Sequence, residues 1–196
     1  VFGKFSSALT YMLLLILAAV PLESLAFVLG GVEVGELVLA LVILLVAAFF
    51  FAAMGLFFSS IMRSTLASTI LSYVVALLGT VGLPIVLLLL STLLSPAIYG
   101  VSSSPSAWMV EAAMMYAIIL FSSLSPIATA VLTEVFLLDE GALFYFWYDI
   151  YSGMGGGSPH TVPIPSPWTI FVLIYVAAGL LLLLITILRV RRQARR

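Results

Sequence analysis

Few side chains in this sequence could carry acid–base or metal chemistry. The 196 residues include seven Lys and Arg, eight Asp and Glu, one His and no Cys. A catalytic zinc needs about three protein ligands, so the lone His160 is interpreted as a solvated loop residue. Glu23, Glu111 and Glu134 lie in or beside apolar segments, but a proton relay would need further ionisable partners at membrane depth. We therefore expect no catalytic, metal-binding or cofactor-binding residue, and no enzyme activity in the chain itself.

Two loop motifs have simple interpretations. The glycine-rich stretch 153–157 lacks the Lys-Ser/Thr pair that ends a phosphate-binding loop, so it is predicted to be an external linker. The aromatic run 144–148 contains Tyr and Trp, which concentrate where a membrane meets water. We interpret it as an interfacial belt, with a contact surface for an amphipathic substrate as the alternative.

The composition explains why chemistry is scarce. The chain is 64% hydrophobic and 8% charged, with a mean hydropathy of +1.34, whereas a soluble domain is about 45–50% apolar and about 25% charged. We therefore predict an integral membrane protein that contacts membrane lipid. The short arginine tail abuts an apolar segment, so it predicts no nucleic-acid partner. No segment is long and polar enough for a soluble catalytic domain. Any energy source that the protein uses must therefore be a gradient or another polypeptide.

Four uncharged or nearly uncharged segments each reach the ~20 residues that a helical span requires. They cover about 5–29, 37–58, 69–94 and 168–188. The segment 107–138 is also apolar but is interrupted at Ser125-Pro126. It is either a fifth span ending near Leu124, or two short helices that re-enter or lie at the interface. With 139–167 as an external loop, the prediction is an all-α, single transmembrane domain over 1–196.

The distribution of charge favours the second alternative. Loops rich in Lys and Arg stay cytoplasmic. Four spans and a re-entrant pair place Lys4, Arg63 and the five tail arginines on one side, and all eight acids on the other. Five spans would separate the tail from Lys4 and Arg63. We therefore predict a multi-pass protein of the cytoplasmic membrane with a cytoplasmic C-terminus.

Small residues predict where helices pack, because close backbone approach drives helix association in lipid. Residues at steps of three or four share one helical face, and two such stripes occur in the second and third spans. They are Ala48, Ala52, Gly55 and Ser59, and Ser68, Ser72, Ala76 and Gly79. We expect these faces to pack against each other or a partner chain, with chance occurrence as the alternative. Pro84, shortly after Gly82, predicts a kink or local unwinding.

Several motifs at the ends of the spans occur together across nearly the whole chain. They are Gly3-Lys4-Phe5, Gly30-Gly31, the segment Gly55 to Ser64, the segment Thr65 to Thr69, Ser125-Pro126 and Pro167-Trp168. Together they resemble the permease subunits of type-2 ABC exporters, the family named for ABC-2-type membrane domains.

That resemblance implies six spans per subunit, an external re-entrant element, a second permease subunit (identical or different) and two cytoplasmic ATP-binding subunits. On this mapping the chain supplies the third to sixth spans, and two spans and a coupling helix precede Val1. Lys4 and Arg63 become candidate contacts to the ATPase, and Pro84, Ser125 and Pro126 a candidate outer gate. The alternative is a non-transporting scaffold or assembly subunit. A gradient-driven carrier is disfavoured because no intramembrane charge pair is present.

Overall fold

The structure is a computed structural model that describes residues 2–30, 33–101, 107–141, 143–150 and 160–194. Most of these residues are helical. In chain order the elements are α1 (Phe2–Val28), α2 (Val34–Ile61), α3 (Thr65–Leu77), a π-helical turn (Leu78–Gly82), α4 (Leu83–Val101), α5 (Ala107–Ser122), α6 (Pro126–Glu140), β1 (Tyr145–Ile150), β2 (His160–Pro165) and α7 (Pro167–Ala194).

Four helical segments of the described chain are long and apolar enough to cross a membrane. They are Gly3–Leu22, Val34–Ile61, Thr65–Leu90 and Pro167–Arg192. At 1.5 Å of rise per residue, about 20 residues cover the roughly 30 Å hydrocarbon layer. Each segment overlaps one of the four predicted spans, and together they fit a multi-pass membrane protein.

Local sequence signals set several helix ends. Glu33 and Glu36 form a capping box at the start of α2, in which the Glu33 backbone N–H donates to Glu36 Oε2 at 3.0 Å. Ser125 caps α6, and Pro126 occupies its first turn, where a missing N–H costs nothing. Gly141 ends α6 with φ of 61°, a left-handed conformation that favours glycine. The predicted break at Ser125-Pro126 between two short apolar helices is thus confirmed.

The chain divides into two compact units, residues 1–78 with 172–196 and residues 79–171. In the first unit α1 and α3 both pack against α2. The buried face of α2 includes Leu39, Ile43 and Ala47, which recur every four residues and therefore share one face.

The second unit contains α4, α5, α6 and an antiparallel hairpin of β1 and β2, in which Tyr145 is opposite Pro165 and Ile150 is opposite His160. The prediction of an all-α chain with a plain loop over 139–167 needs this correction. Residues of β1 alternate between exposed and more buried, but aromatic side chains occupy both faces. The polar–apolar alternation by which a strand is recognised is therefore hidden.

The prolines of β2 fit the edge of this hairpin. A proline cannot donate to the ladder, so it is tolerated only where its nitrogen faces away from the partner strand. Pro163 and Pro165 are two residues apart and therefore face the same way. Ser166, the next residue, donates its backbone N–H to the Phe144 carbonyl at 2.8 Å, which continues the ladder by one more pair.

Candidate functional site

Four residues in or beside the turn between α5 and α6 have buried hydroxyl side chains. We call Ser122, Ser123, Ser125 and Thr129 the hydroxyl cluster; each is at most 2% exposed. Ser122 Oγ and Ser123 Oγ donate to the Ile119 carbonyl at 2.9 and 2.7 Å. Thr129 Oγ1 lies 2.8 Å from the Ser125 carbonyl and 3.2 Å from the Ser122 carbonyl. Buried hydroxyls need such partners, because leaving one unpaired costs about 1–3 kcal/mol.

Two further hydrogen bonds connect the hydroxyl cluster to other parts of its unit. Ser123 Oγ lies 3.0 Å from the Pro167 carbonyl at the start of α7. A serine hydroxyl has one proton, so Ser123 shares it between the carbonyls of Pro167 and Ile119. Ser125 Oγ donates to the Thr80 carbonyl at 2.9 Å. The turn is therefore bonded both to the first residue of α7 and to the π-helical turn.

Proline chemistry explains why Thr80 accepts this bond. In an α-helix the Thr80 carbonyl would accept from the N–H of residue 84, but Pro84 has none and its ring crowds the carbonyl four residues earlier. The chain forms a π-helical turn at Leu78–Gly82, and the Ser125 hydroxyl supplies a donor to Thr80. The predicted local unwinding before Pro84 is confirmed as this turn.

All three residues of the candidate outer gate therefore lie in or beside the two turns that the Ser125–Thr80 hydrogen bond connects. Pro84 removes a donor, Ser125 supplies one, and Pro126 begins the helix that Ser125 caps. Sequence reasoning missed Thr80, Ser123 and Thr129. The available signal for Thr80 was its position four residues before a proline.

Two buried hydroxyls in the same unit have no hydrogen-bond partner in the described part of the chain. They are Thr133 Oγ1, one helical turn after Thr129 on α6, and Ser166 Oγ, immediately before α7. Each is a donor that a water or another chain could satisfy.

The predicted packing stripes are only partly in contact with their own chain. Ala52 and Ser68 are buried, whereas Ser59 is exposed and Ala48, Ser72 and Ala76 are half-buried. A Cβ built on Gly55 or Gly79 would meet nothing within 4 Å among the described residues. Contact between these two glycines and a partner chain stays a prediction.

The tight glycine contact lies elsewhere, at Gly179 on α7. A Cβ there would lie 2.5 Å from Phe49 Cε1, closer than packed atoms come. The Phe49 ring also meets Phe5 edge-on, with ring centres 5.6 Å apart. Tyr175, one turn before Gly179, meets Phe50 at 4.6 Å. Gly179 was not predicted as a packing residue, because it belongs to neither small-residue stripe.

Lys4 and Arg63, the candidate ATPase contacts, are both exposed but are not brought together. Phe5 contacts Phe49, and Phe49 lies 12 residues before Ile61, about 18 Å along α2 at 1.5 Å per residue. Lys4 is therefore beside the middle of α2, whereas Arg63 follows its end.

The other candidate residues do not assemble a reactive centre. Glu111 and Glu134 are exposed, the Glu23 side chain and 153–157 lie outside the described residues, and the described residues hold no group of three or more His, Cys, Asp or Glu side chains that could bind a metal. His160 is not the solvated loop residue that was predicted: it lies in β2, half-buried and stacked on Trp108, with ring centres 4.5 Å apart.

No protein-family model, no curated protein and no solved structure matches the chain.

Proposed function

We propose that the chain is a permease subunit of an ATP-driven exporter of the type-2 ABC class. A separate cytoplasmic subunit would hydrolyse ATP, and a second permease subunit would complete the transport path. Support comes from the four membrane-length helices, from the broken helical pair α5–α6, and from the motifs at the span ends that resemble this class.

One observation carries the proposal: the third candidate span is interrupted by a π-helical turn that is hydrogen-bonded to the α5–α6 turn. An alternating path requires an element with two arrangements that nucleotide can bias. Single π-helical turns occur frequently at functional sites. A hydroxyl-to-carbonyl bond can break and re-form without leaving a charge unpaired, so the Ser125–Thr80 contact is suited to such an element.

Association with an ATPase is the first test. The full-length protein, purified from its native membranes, should bring down an ATP-binding cassette subunit in a fixed ratio. Arg63→Glu should lower that yield, because Arg63 is exposed between two spans. Glu134→Lys, a charge reversal at an exposed residue of the other unit, is the control. A full-length protein that never associates with an ATP-binding subunit would overturn the proposal.

Nucleotide-dependent labelling distinguishes a transporter from a scaffold. The chain has no Cys, and Ile127, two residues after Ser125, is 50% exposed. In the complex with its ATPase, the labelling rate of Ile127→Cys should differ between the nucleotide-free and ATP-bound states. Leu138→Cys, at the other end of α6, should not change. Equal rates at Ile127→Cys in both states would favour the scaffold.

Topology is tested separately. Reporter fusions ending after Leu94 and after Gly157 should report the same, external side, and a fusion after Arg192 should report the cytoplasm. Opposite sides for the first two would overturn the four-span arrangement.

A further inference from the structure

The outward face of the β-hairpin is aromatic and exposed. Tyr145 is 60% and Trp147 is 62% exposed. Their rings are 6.4 Å apart and nearly perpendicular, so they form one patch. Pro165 and Pro163 lie directly opposite them on β2. We call these four residues the aromatic–proline face.

The other face of the hairpin is packed, so the hairpin is held in place. Ile150 and Ile164 are 1% exposed. Phe146 meets Phe136 of α6 with ring centres 5.0 Å apart. The exposed aromatic rings are therefore displayed by an anchored sheet, and are not core residues of an unpacked segment.

Three contacts fix the direction of the hairpin along α5. His160 stacks on Trp108, the Tyr116 hydroxyl donates to the Pro163 carbonyl, and the Ser123 hydroxyl bonds the Pro167 carbonyl. β2 and α5 thus run side by side in the same direction. The end of the hairpin at Tyr145 and Pro165 lies beside the end of α5 and the start of α7.

Polarity changes along the hairpin in that direction. The pairs nearest α7 are Tyr145–Pro165 and Trp147–Pro163, and the next outward-facing pair is Asp149–Thr161. Beyond the apolar end, Leu143 and Phe144 are also exposed, at 46% and 59%.

The apolar end is bonded directly to the first turn of a membrane-length helix. The Trp168 indole N–H donates to the Leu143 carbonyl at 2.6 Å, and the Ser166 N–H donates to Phe144. Helix α7 begins at Pro167 and is one of the four candidate spans. The aromatic–proline face therefore lies beside the start of a candidate span. The polar end of the hairpin lies farther from that start.

The headgroup layer of a bilayer suits such a face better than hydrocarbon or water does. A two-stranded sheet has open edges with unpaired backbone groups, which hydrocarbon does not tolerate. Water disfavours a contiguous aromatic patch. The headgroup layer of a bilayer accepts both, and Tyr and Trp concentrate there.

We infer that the aromatic–proline face docks into the headgroup layer of the lipid bilayer, on the side where α7 begins. The strands β1 and β2 carry no Lys or Arg, and their acid is Asp149 at the far end. The contact therefore rests on aromatic burial and not on attraction to anionic lipid. It should persist in purely zwitterionic lipid and at high salt, and it holds for an exporter or a scaffold alike.

The absence of Cys allows a direct test. The full chain carrying Pro163→Cys, labelled with a nitroxide, is placed in phosphatidylcholine nanodiscs, and its accessibility to oxygen and to a water-soluble nickel chelate is measured. Thr161→Cys is the matched control, because it lies on the same face of the same strand two residues farther from α7. Leu181→Cys, 56% exposed within α7, marks the hydrocarbon layer.

Nickel access at Pro163→Cys should be several-fold lower than at Thr161→Cys, with high oxygen access and a depth shallower than at Leu181→Cys. Equal nickel access at 161 and 163 would place the face in water and overturn the inference. Low access to both reagents would mean that protein covers the face, and a depth equal to that of Leu181→Cys would mean hydrocarbon; either would also overturn it. If Pro163→Cys does not fold, Tyr145→Cys on the opposite strand gives the same readout.

Discussion

The α2–α7 contact and the hydroxyl cluster hold their helices together by different physics. Where α2 meets α7, the Phe49 ring lies on Gly179, and neither residue has a polar side-chain atom. Such a contact depends on volume, because the interior is close-packed. At the α5–α6 turn, Ser125 supplies a donor to the Thr80 carbonyl beside Pro84. That contact depends on the presence of a hydroxyl. Substitutions that change only side-chain volume should therefore affect the α2–α7 contact. Substitutions that remove only a hydroxyl donor should affect the α5–α6 turn.

The largest effect is expected from Ser125→Ala. It removes the hydrogen bond that Ser125 donates to the Thr80 carbonyl, and a hydrogen bond of this kind contributes about 0.5–1.5 kcal/mol. It also removes the N-cap of α6, which costs about 1 kcal/mol more. Thermal unfolding in detergent should show a clearly lower Tm. Ser59→Ala, at an exposed position on α2, is the control, and equal Tm values for the two variants would contradict the role of Ser125.

An intermediate effect is expected from Gly179→Ala, which changes volume alone. The added methyl must displace the Phe49 ring, and overpacking of this kind costs about 1–3 kcal/mol. A gain of about 1 kcal/mol in helix propensity offsets part of this. The matched control is Gly55→Ala, where the methyl enters open space and only the propensity gain remains. The Tm should fall for Gly179→Ala and rise or stay level for Gly55→Ala, and the reverse order would show that the α2–α7 contact is loose.

The smallest effects on Tm are expected from two threonines of α6. The Thr129 hydroxyl is hydrogen-bonded, whereas the Thr133 hydroxyl has no partner among the described residues. Thr129→Val removes a bonded hydroxyl and should cost about 0.5–1.5 kcal/mol. Thr133→Val removes a buried hydroxyl without a described partner, so it should be neutral or slightly stabilising. Tm measurements on both variants check this. A larger loss at Thr133 than at Thr129 would reveal a partner for Thr133 outside the described residues.

The sequence predicted those features that depend on a few neighbouring residues. The spans follow from apolar length, the α6 start from Ser125-Pro126, and the unwound turn from Pro84. The hairpin was missed because Phe146 and Tyr148, which face inward, are aromatic like the outward-facing residue between them. The strand therefore lacks the polar–apolar alternation that would have predicted it. Gly179 was missed because its importance depends on which helix faces it. The donor to Thr80 lies 45 residues away, and no local pattern identifies it.

We conclude that the Ser125 hydroxyl donates to the Thr80 carbonyl in place of the backbone N–H that Pro84 lacks. A double-mutant cycle of Ser125→Ala and Pro84→Ala, read by unfolding free energy, tests it most directly. Pro84→Ala restores an N–H four residues after Thr80, so Ser125→Ala should cost less in that background. The two changes should show a coupling of about 0.5–3 kcal/mol, the range for residues that share a partner. Strictly additive effects would contradict the claim.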